Sequence, residues 1–309
     1  MGEACAAAPK EKAANAAGKR RRQRERNFTT DRFQGNVQVY PAEVGHPGNI
    51  PGMELIQVNG TGLEIQRLPA REGRPKAPLI FLHEGLGSVA MWRDWPAQVC
   101  AATGRAGLVY SRRGYGQSEG IPDVRGRGRL GADYMHREAL EVLPELLATL
   151  ELDAPLLVGH SDGATIALLH ASHFTVTGCL VMAPHVIVED LSIQAIEEAR
   201  TAYESGPLRQ RLQRYHRDVD CAFWQWNDIW LSPAFRDFDI RAECRRIEAP
   251  LLAIQGDADP YGTLRQIEEI EPTRGPFTRH VLSSCGHSPH RDQPEATLRH
   301  VSKFLAQLP

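Results

Sequence analysis

A serine hydroxyl attacks a carbonyl carbon efficiently only when a base takes its proton and a third group holds that base in place. The pentapeptide Gly159-His160-Ser161-Asp162-Gly163 follows the apolar run Pro155-Leu156-Leu157-Val158. Beyond it, Ala164, Ala167, Leu168 and Ala171 recur at helical spacing. This strand-to-helix order gives G-x-S-x-G its mechanism: the serine sits on a sharp turn with its hydroxyl above the sheet, and small flanking residues let the two backbones approach. Ser161 is therefore the candidate nucleophile. Candidate partners follow in the order acid, then base. The apolar run 250–256 leads into Asp257-Ala258-Asp259-Pro260, and 277–282 leads into Ser284-Cys285-Gly286-His287-Ser288-Pro289-His290. Each falls just beyond a predicted strand, where parallel α/β sheets carry their sites. Position alone leaves Asp257 beside Asp259 and His290 beside His287.

The elements that would carry these residues are legible as apolar periodicity. Strands are predicted at 53–58, 63–68, 79–83, 107–110, 155–159, 178–183, 250–255 and 277–282. Helices are predicted at 133–150, after the serine, and at 294–307. This alternation implies an α/β protein with a doubly wound, mostly parallel sheet. More than sixty residues separate the sixth strand from Pro250, beyond what a simple crossover needs. That stretch contains Phe223-Trp224-Gln225-Trp226-Asn227-Asp228-Ile229-Trp230. Trp224, Trp226 and Trp230 are candidates to line an apolar substrate pocket, the bland alternative being that they pack helices onto the core.

Together these segments resemble the α/β-hydrolase superfamily, specifically the lid-bearing serine hydrolases that include meta-cleavage C–C hydrolases, small carboxylesterases and valacyclovirase-like enzymes. The matching segments are Gly159-His160-Ser161-Asp162-Gly163, Gly256-Asp257-Ala258-Asp259 and Gly286-His287. His83-Glu84-Gly85-Leu86-Gly87-Ser88 and Arg113-Gly114-Tyr115-Gly116-Gln117-Ser118 match as well. The resemblance runs from about residue 53 to 307. It implies an α/β-hydrolase core at 51–185 and 246–309, with a helical lid at 186–245 inserted after the sixth strand. It selects Asp259, three residues after Gly256, as the acid and His287, directly after Gly286, as the base. His290 would then be a surface residue or a neighbour of the base.

The resemblance also implies an oxyanion hole made by the backbone N–H groups of Asp162 and Gly85. Glu84 stands where most members carry glycine, a departure that bears on the conformation of this loop. The Asp162 side chain has two readings: pairing with a substrate cation such as an amino group, as in valacyclovirase-like members, or capping the following helix. The implied activity is a serine hydrolase cleaving a small carboxylic ester or thioester through an acyl-enzyme, with no metal or organic cofactor. A C–C hydrolase of a vinylogous diketone and a non-catalytic ligand receptor on the same fold are the alternatives. Dehalogenase and epoxide hydrolase chemistry is disfavoured, because those relatives place a carboxylate where Ser161 stands.

Composition narrows the partners. With 309 residues, 42% of them hydrophobic, the chain can bury a full α/β core plus an insertion. A net charge of -2 provides no electrostatic footprint for nucleic acid or membrane in the folded part, so the implied partner is a small-molecule substrate. No apolar run reaches membrane-spanning length. The six cysteines are scattered without a C-x-x-C, as in a cytoplasmic protein with reduced thiols. Residues 1–50 differ: Ala, Lys and Arg dominate their first thirty, and the basic run 19–26 would suit nuclear import, nucleic acid contact or a transit peptide. The plainer expectation is a disordered basic extension. Two motifs are set aside. Gly126-Arg127-Gly128-Arg129-Leu130-Gly131 satisfies G-x-G-x-x-G, but no strand precedes it. His170 and His173 are spaced as H-x-x-H with no third ligand.

Overall fold

The apolar runs pair into one eight-stranded sheet in the computed structural model, which describes residues 52–70 and 76–309. The strands are β1 (Met53–Val58), β2 (Thr61–Leu68), β3 (Leu79–Leu82), β4 (Gly107–Tyr110), β5 (Leu156–His160), β6 (Gly178–Met182), β7 (Leu251–Gly256) and β8 (Phe277–Leu282). Their spatial order is β1-β2-β4-β3-β5-β6-β7-β8. Only the β1–β2 and β2–β4 pairs are antiparallel; every pair from β4 onward is parallel. Strands β3 to β7 are buried along their whole length, which explains their uniform apolarity: helices cover both faces. The edge strand β8 is largely exposed. The doubly wound, mostly parallel sheet is thus the one its strand pattern predicts. The proposed basic extension at 1–50 lies outside the described residues.

The helix predicted at 133–150 is not continuous. It runs as Tyr134–Arg137, a π-helical turn at Glu138–Val142, and Leu143–Thr149. Pro144 supplies the reason, because it has no N–H to donate back along the helix and its ring crowds the preceding turn.

Between β6 and β7 the chain forms four helices, Asp190–Glu204, Leu208–Leu212, Val219–Trp230 and Arg241–Cys244. The third begins where Asp218 accepts the Cys221 N–H at 2.9 Å, an N-cap. Just before it, His216 joins the insertion to two loops of the core. Its Nδ1 accepts the Gly116 N–H at 3.0 Å and its Nε2 donates to the Leu86 carbonyl at 3.0 Å, while the Arg217 N–H donates to the Gly116 carbonyl at 2.7 Å. Leu86 lies after β3 and Gly116 after β4. His83 is committed in the same way: Nδ1 donates to the Glu84 carbonyl at 2.7 Å and Nε2 accepts the Arg112 N–H at 3.1 Å. Tyr115 packs edge-on between the two rings. No helix among the described residues is long and apolar enough to cross a membrane.

A ring whose nitrogen accepts from a backbone N–H can hold that bond only while neutral. Burial accordingly pushes His216 down to about 4 and His83 well below its usual value, and it lowers buried His185 to about 3 and His290 well below normal. In the unfolded chain these rings take up protons near pH 6.5. Below that pH the unfolded state binds more protons than the folded one, so stability falls with pH. The slope is about 1.4 kcal/mol per pH unit for each such ring until its folded value is reached. The thermal midpoint should therefore drop steadily between pH 7 and pH 5; a midpoint flat across that interval would rule out these neutral-histidine pins.

Candidate active site

Strand β5 passes into the helix Asp162–Ala171 through a turn only one residue long. Ser161 occupies it at φ 54°, ψ −121°, a conformation L side chains rarely adopt, with a cost of about 1–3 kcal/mol. Hydrogen bonds hold the turn: the Ser161 N–H donates to the Met182 carbonyl at 2.9 Å, and the N–H groups of Ala164 and Thr165 donate to the Ser161 carbonyl at 2.9 and 3.0 Å. A Cβ on Gly159 would meet the backbone of Gly163 and Ala164, and one on Gly163 would meet the Leu82 carbonyl. The glycines of the pentapeptide are thus required by contact between β5, its helix and the end of β3.

Above this turn the structure brings together three residues far apart in sequence. His287 Nε2 lies 2.9 Å from Ser161 Oγ, and His287 Nδ1 lies 2.9 and 2.8 Å from the two carboxylate oxygens of Asp259. A carboxylate can only accept, so Nδ1 carries the proton and the Nε2 lone pair faces the serine hydroxyl. Asp259 also accepts from Gln255 Nε2 at 2.9 Å and from the Tyr261 N–H at 2.8 Å. Burial opposes its charge, but the hydrogen bond and charge of His287 together with the Tyr261 N–H outweigh it and hold the carboxyl below its usual range. Asp257, the nearer acid in sequence, is exposed and accepts the Ser284 N–H at 2.7 Å, bracing the loop that carries His287. His290 is neither the base nor a surface residue. It is 3% exposed, with its ring 4.8 Å from both Trp92 and His160.

The loop after β3 carries the two remaining expectations. Among the described residues neither the Gly85 nor the Asp162 N–H donates to another protein group, so both are free for an oxyanion. A Cβ on Gly85 would collide with the Trp226 indole. Glu84 fits without a left-handed conformation, and its carbonyl closes a turn with the Gly87 N–H at 3.0 Å. Its carboxylate turns toward His160, with Oε2 3.5 Å from Nδ1. Burial disfavours the charge on Glu84, yet the adjacent His160 ring, with the Arg291 guanidinium beyond, holds it well below the usual carboxylate range.

Asp162 does not cap its helix. Its Oδ2 accepts the Tyr134 hydroxyl at 2.6 Å, Tyr134 in turn accepts Trp230 Nε1–H at 3.0 Å, and Oδ1 is buried without a partner. Burial raises its pKa despite the nearby Arg112 charge. The three tryptophans of the helix Val219–Trp230 therefore separate. Trp226 abuts Gly85, and Trp230 is tied into the Asp162 network with its ring 4.8 Å from His185. Trp224, expected to line a pocket, stacks instead under the exposed Arg125 at 3.7 Å and against Phe223 and Tyr203.

Sequence reasoning missed several supporting groups. Arg112, 4% exposed, donates to the carbonyls of His83 at 2.5 Å and Glu84 at 3.0 Å, fixing the loop that carries Gly85. Its signal is a charge two residues beyond the end of the buried strand β4. His160, the variable residue of the pentapeptide, donates Nε2–H to the His287 carbonyl at 2.7 Å. Tyr134 and Gln255 have no local signature, since only the fold reveals their partners.

The alpha/beta hydrolase family model matches residues 79–300. The chain is similar to 2-succinyl-6-hydroxy-2,4-cyclohexadiene-1-carboxylate synthase of Enterobacter sp. (strain 638), with 25% identity over 266 residues that cover 77% of this chain and 94% of that protein. It is also similar to proline iminopeptidase of Levilactobacillus brevis, with 23% identity over 282 residues covering 75% and 89%. The crystal structure of proline iminopeptidase from Mycobacterium smegmatis superposes with a TM-score of 0.62 at 19% identity, covering 82% of this chain and 98% of that one.

Gly163→Ala should destabilise the fold by about 1–3 kcal/mol, because the added methyl meets backbone that cannot rotate away. Urea denaturation checks this, and an unchanged midpoint would mean that the helix and β3 can separate.

Proposed function

The chain belongs to the alpha/beta hydrolase family, and on that premise we propose that it is a serine hydrolase cleaving a small carboxylic ester or thioester through an acyl-enzyme. The observation that carries this reading is the 2.9 Å approach of His287 Nε2 to Ser161 Oγ, with Asp259 fixing the opposite nitrogen. In this scheme Ser161 Oγ bonds to the substrate carbonyl carbon as its proton passes to His287. The charge that develops on the carbonyl oxygen is met by the N–H groups of Gly85 and Asp162. His287 then returns the proton to the departing alcohol or thiol, and the ester carbonyl re-forms on Ser161. Water, deprotonated by the same histidine, releases the acid and restores the serine.

The helices between β6 and β7, at 186–245, act in this proposal as the lid. The position of Trp226 against Gly85 and the attachment of His216 to the loop at Leu86 support that role. The buried, unpartnered Oδ1 of Asp162 keeps the amino-group reading open within the ester class, because an ammonium on the acyl chain would satisfy it.

Hydrolysis of a chain-length series of p-nitrophenyl esters, with an aminoacyl ester included, tests the scheme. Ser161→Ala should lower activity by about a hundredfold or more, and Asp259→Asn by about 10⁴-fold through the wrong histidine tautomer. Asp162→Asn should abolish any preference for the aminoacyl ester. A folded wild-type protein inert toward the whole series would overturn the ester reading and move the assignment to C–C hydrolysis or ligand reception. Dienoate cleavage or tight binding without turnover would then distinguish those two.

A further inference from the structure

A cavity of about 530 Å³ is lined by residues of β1, β2, the segment after β4 and the helix Val219–Trp230, and none of Ser161, Asp259 and His287 lines it. Its wall carries five arginines, Arg112, Arg113, Arg127, Arg129 and Arg137, against two carboxylates, Glu138 and Glu141. Arg113 is paired with Glu119 at 3.1 Å, Arg137 with Glu141, and Arg112 lies near the buried Asp162 and Glu138 carboxylates, but the two remaining arginines meet no carboxylate among the described residues. Among the described residues the Arg127 side chain has no partner, and Arg129 reaches only the Asp228 carbonyl, at 3.0 Å. Arg112 contacts the His83 and Glu84 carbonyls. Of the two acids, Glu141 is engaged by Arg137 at 3.3 Å and Glu138 by the Tyr110 hydroxyl at 2.9 Å.

Two buried donors on the same wall also lack an acceptor. Gln225 is 3% exposed, and its Nε2 makes no hydrogen bond; Arg113 Nε is likewise buried and unsatisfied. Leaving such donors unpaired costs about 1–3 kcal/mol each, a penalty that a bound acceptor would remove. Most of the remaining lining is apolar or aromatic, including Leu63, Tyr115, Ile121, Pro122 and Leu130, with Asn59 and Thr61 beside them. The loop 126–131, whose glycine pattern has no dinucleotide-binding context, is the segment that delivers Arg127 and Arg129 here.

We propose that this cavity is a binding site for a small amphipathic organic anion, its carboxylate or phosphate held by Arg127, Arg113 and Gln225 and its apolar body against Leu63, Ile121 and Leu130. Its volume lies within the usual range for ligand sites, and a multi-arginine wall suits oxyanions with more than one acceptor. The site is independent of the hydrolytic reading, although Arg112 and Tyr134 on its wall also bond to residues beside Ser161 and Gly85.

Isothermal titration of the full chain with 4-phenylbutyrate, phenyl phosphate and the neutral 4-phenylbutanamide tests it. At least one anion should bind about tenfold or more tightly than the amide, with affinity falling as salt is added. The tighter of the two anions identifies whether carboxylate or phosphate is the natural group. Arg127→Glu and Gln225→Glu should each weaken the anion by about tenfold or more. Should Gln225→Glu fail to fold, Arg127→Glu and Arg129→Ala, both on the exposed loop, carry the test. Equal binding of the amide, wild-type affinity in the loop variants, or no anion uptake up to roughly 1 mM would overturn the proposal.

Discussion

The site depends on one close approach. Strand β5 and the helix after it are joined by a single residue, and their backbones pass so near each other and β3 that neither Gly159 nor Gly163 has room for a Cβ. The turn forces Ser161 to a positive φ, and the cost is offset by bonds to the neighbouring strand and the first helical turn. Everything else at the site is positioned relative to this turn. The unbonded N–H of Asp162 is its direct product, since the first N–H groups of a helix have no partner within it.

The partners reach Ser161 on loops, which lack the ladders that order strands. Buried polar side chains bonded to loop backbone supply that order. Arg112 holds two carbonyls of the loop after β3, His83 links that loop to the one after β4, and His216 ties both to the inserted helices. On the other side, Ala258 donates to the Cys285 carbonyl at 3.0 Å, Asp257 accepts from Ser284, and His160 donates to the His287 carbonyl. The 2.8–2.9 Å spacings among Ser161, His287 and Asp259 are the sum of these local constraints. His83 and His216 each accept a backbone N–H and so hold their bonds only as neutral imidazoles, which makes these two rings groups through which acid acts on the fold.

The same economy of shared residues connects the two sites. Tyr134 donates to Asp162 and also lines the arginine-walled cavity, and Arg112, which lines that cavity too, donates to the His83 and Glu84 carbonyls of the loop after β3. A charge placed in that cavity would sit one side chain away from both segments that supply the proposed oxyanion donors.

Local pattern was enough to determine the sheet. Buried parallel strands are uniformly apolar, so β3 to β7 stand out in the sequence within a residue or two, and the G-x-S-x-G turn marks Ser161 as the candidate nucleophile by its place between strand and helix. The interruption at Pro144 was also local, a missing donor in an otherwise helical stretch. What only the tertiary structure decided is where side chains separated by a hundred residues meet. Asp257 and Asp259 are equivalent by spacing, yet one braces a turn and the other faces His287. Trp224 and Trp226 share one helix two residues apart, so they point to different faces, one beneath Arg125 and the other against Gly85. Glu84 is tolerated because its loop keeps a negative φ, and Arg112, Tyr134 and the cavity they share emerge only when loops from distant strands converge. Periodicity records which face of an element is buried; it carries no information about which buried polar group will find which partner.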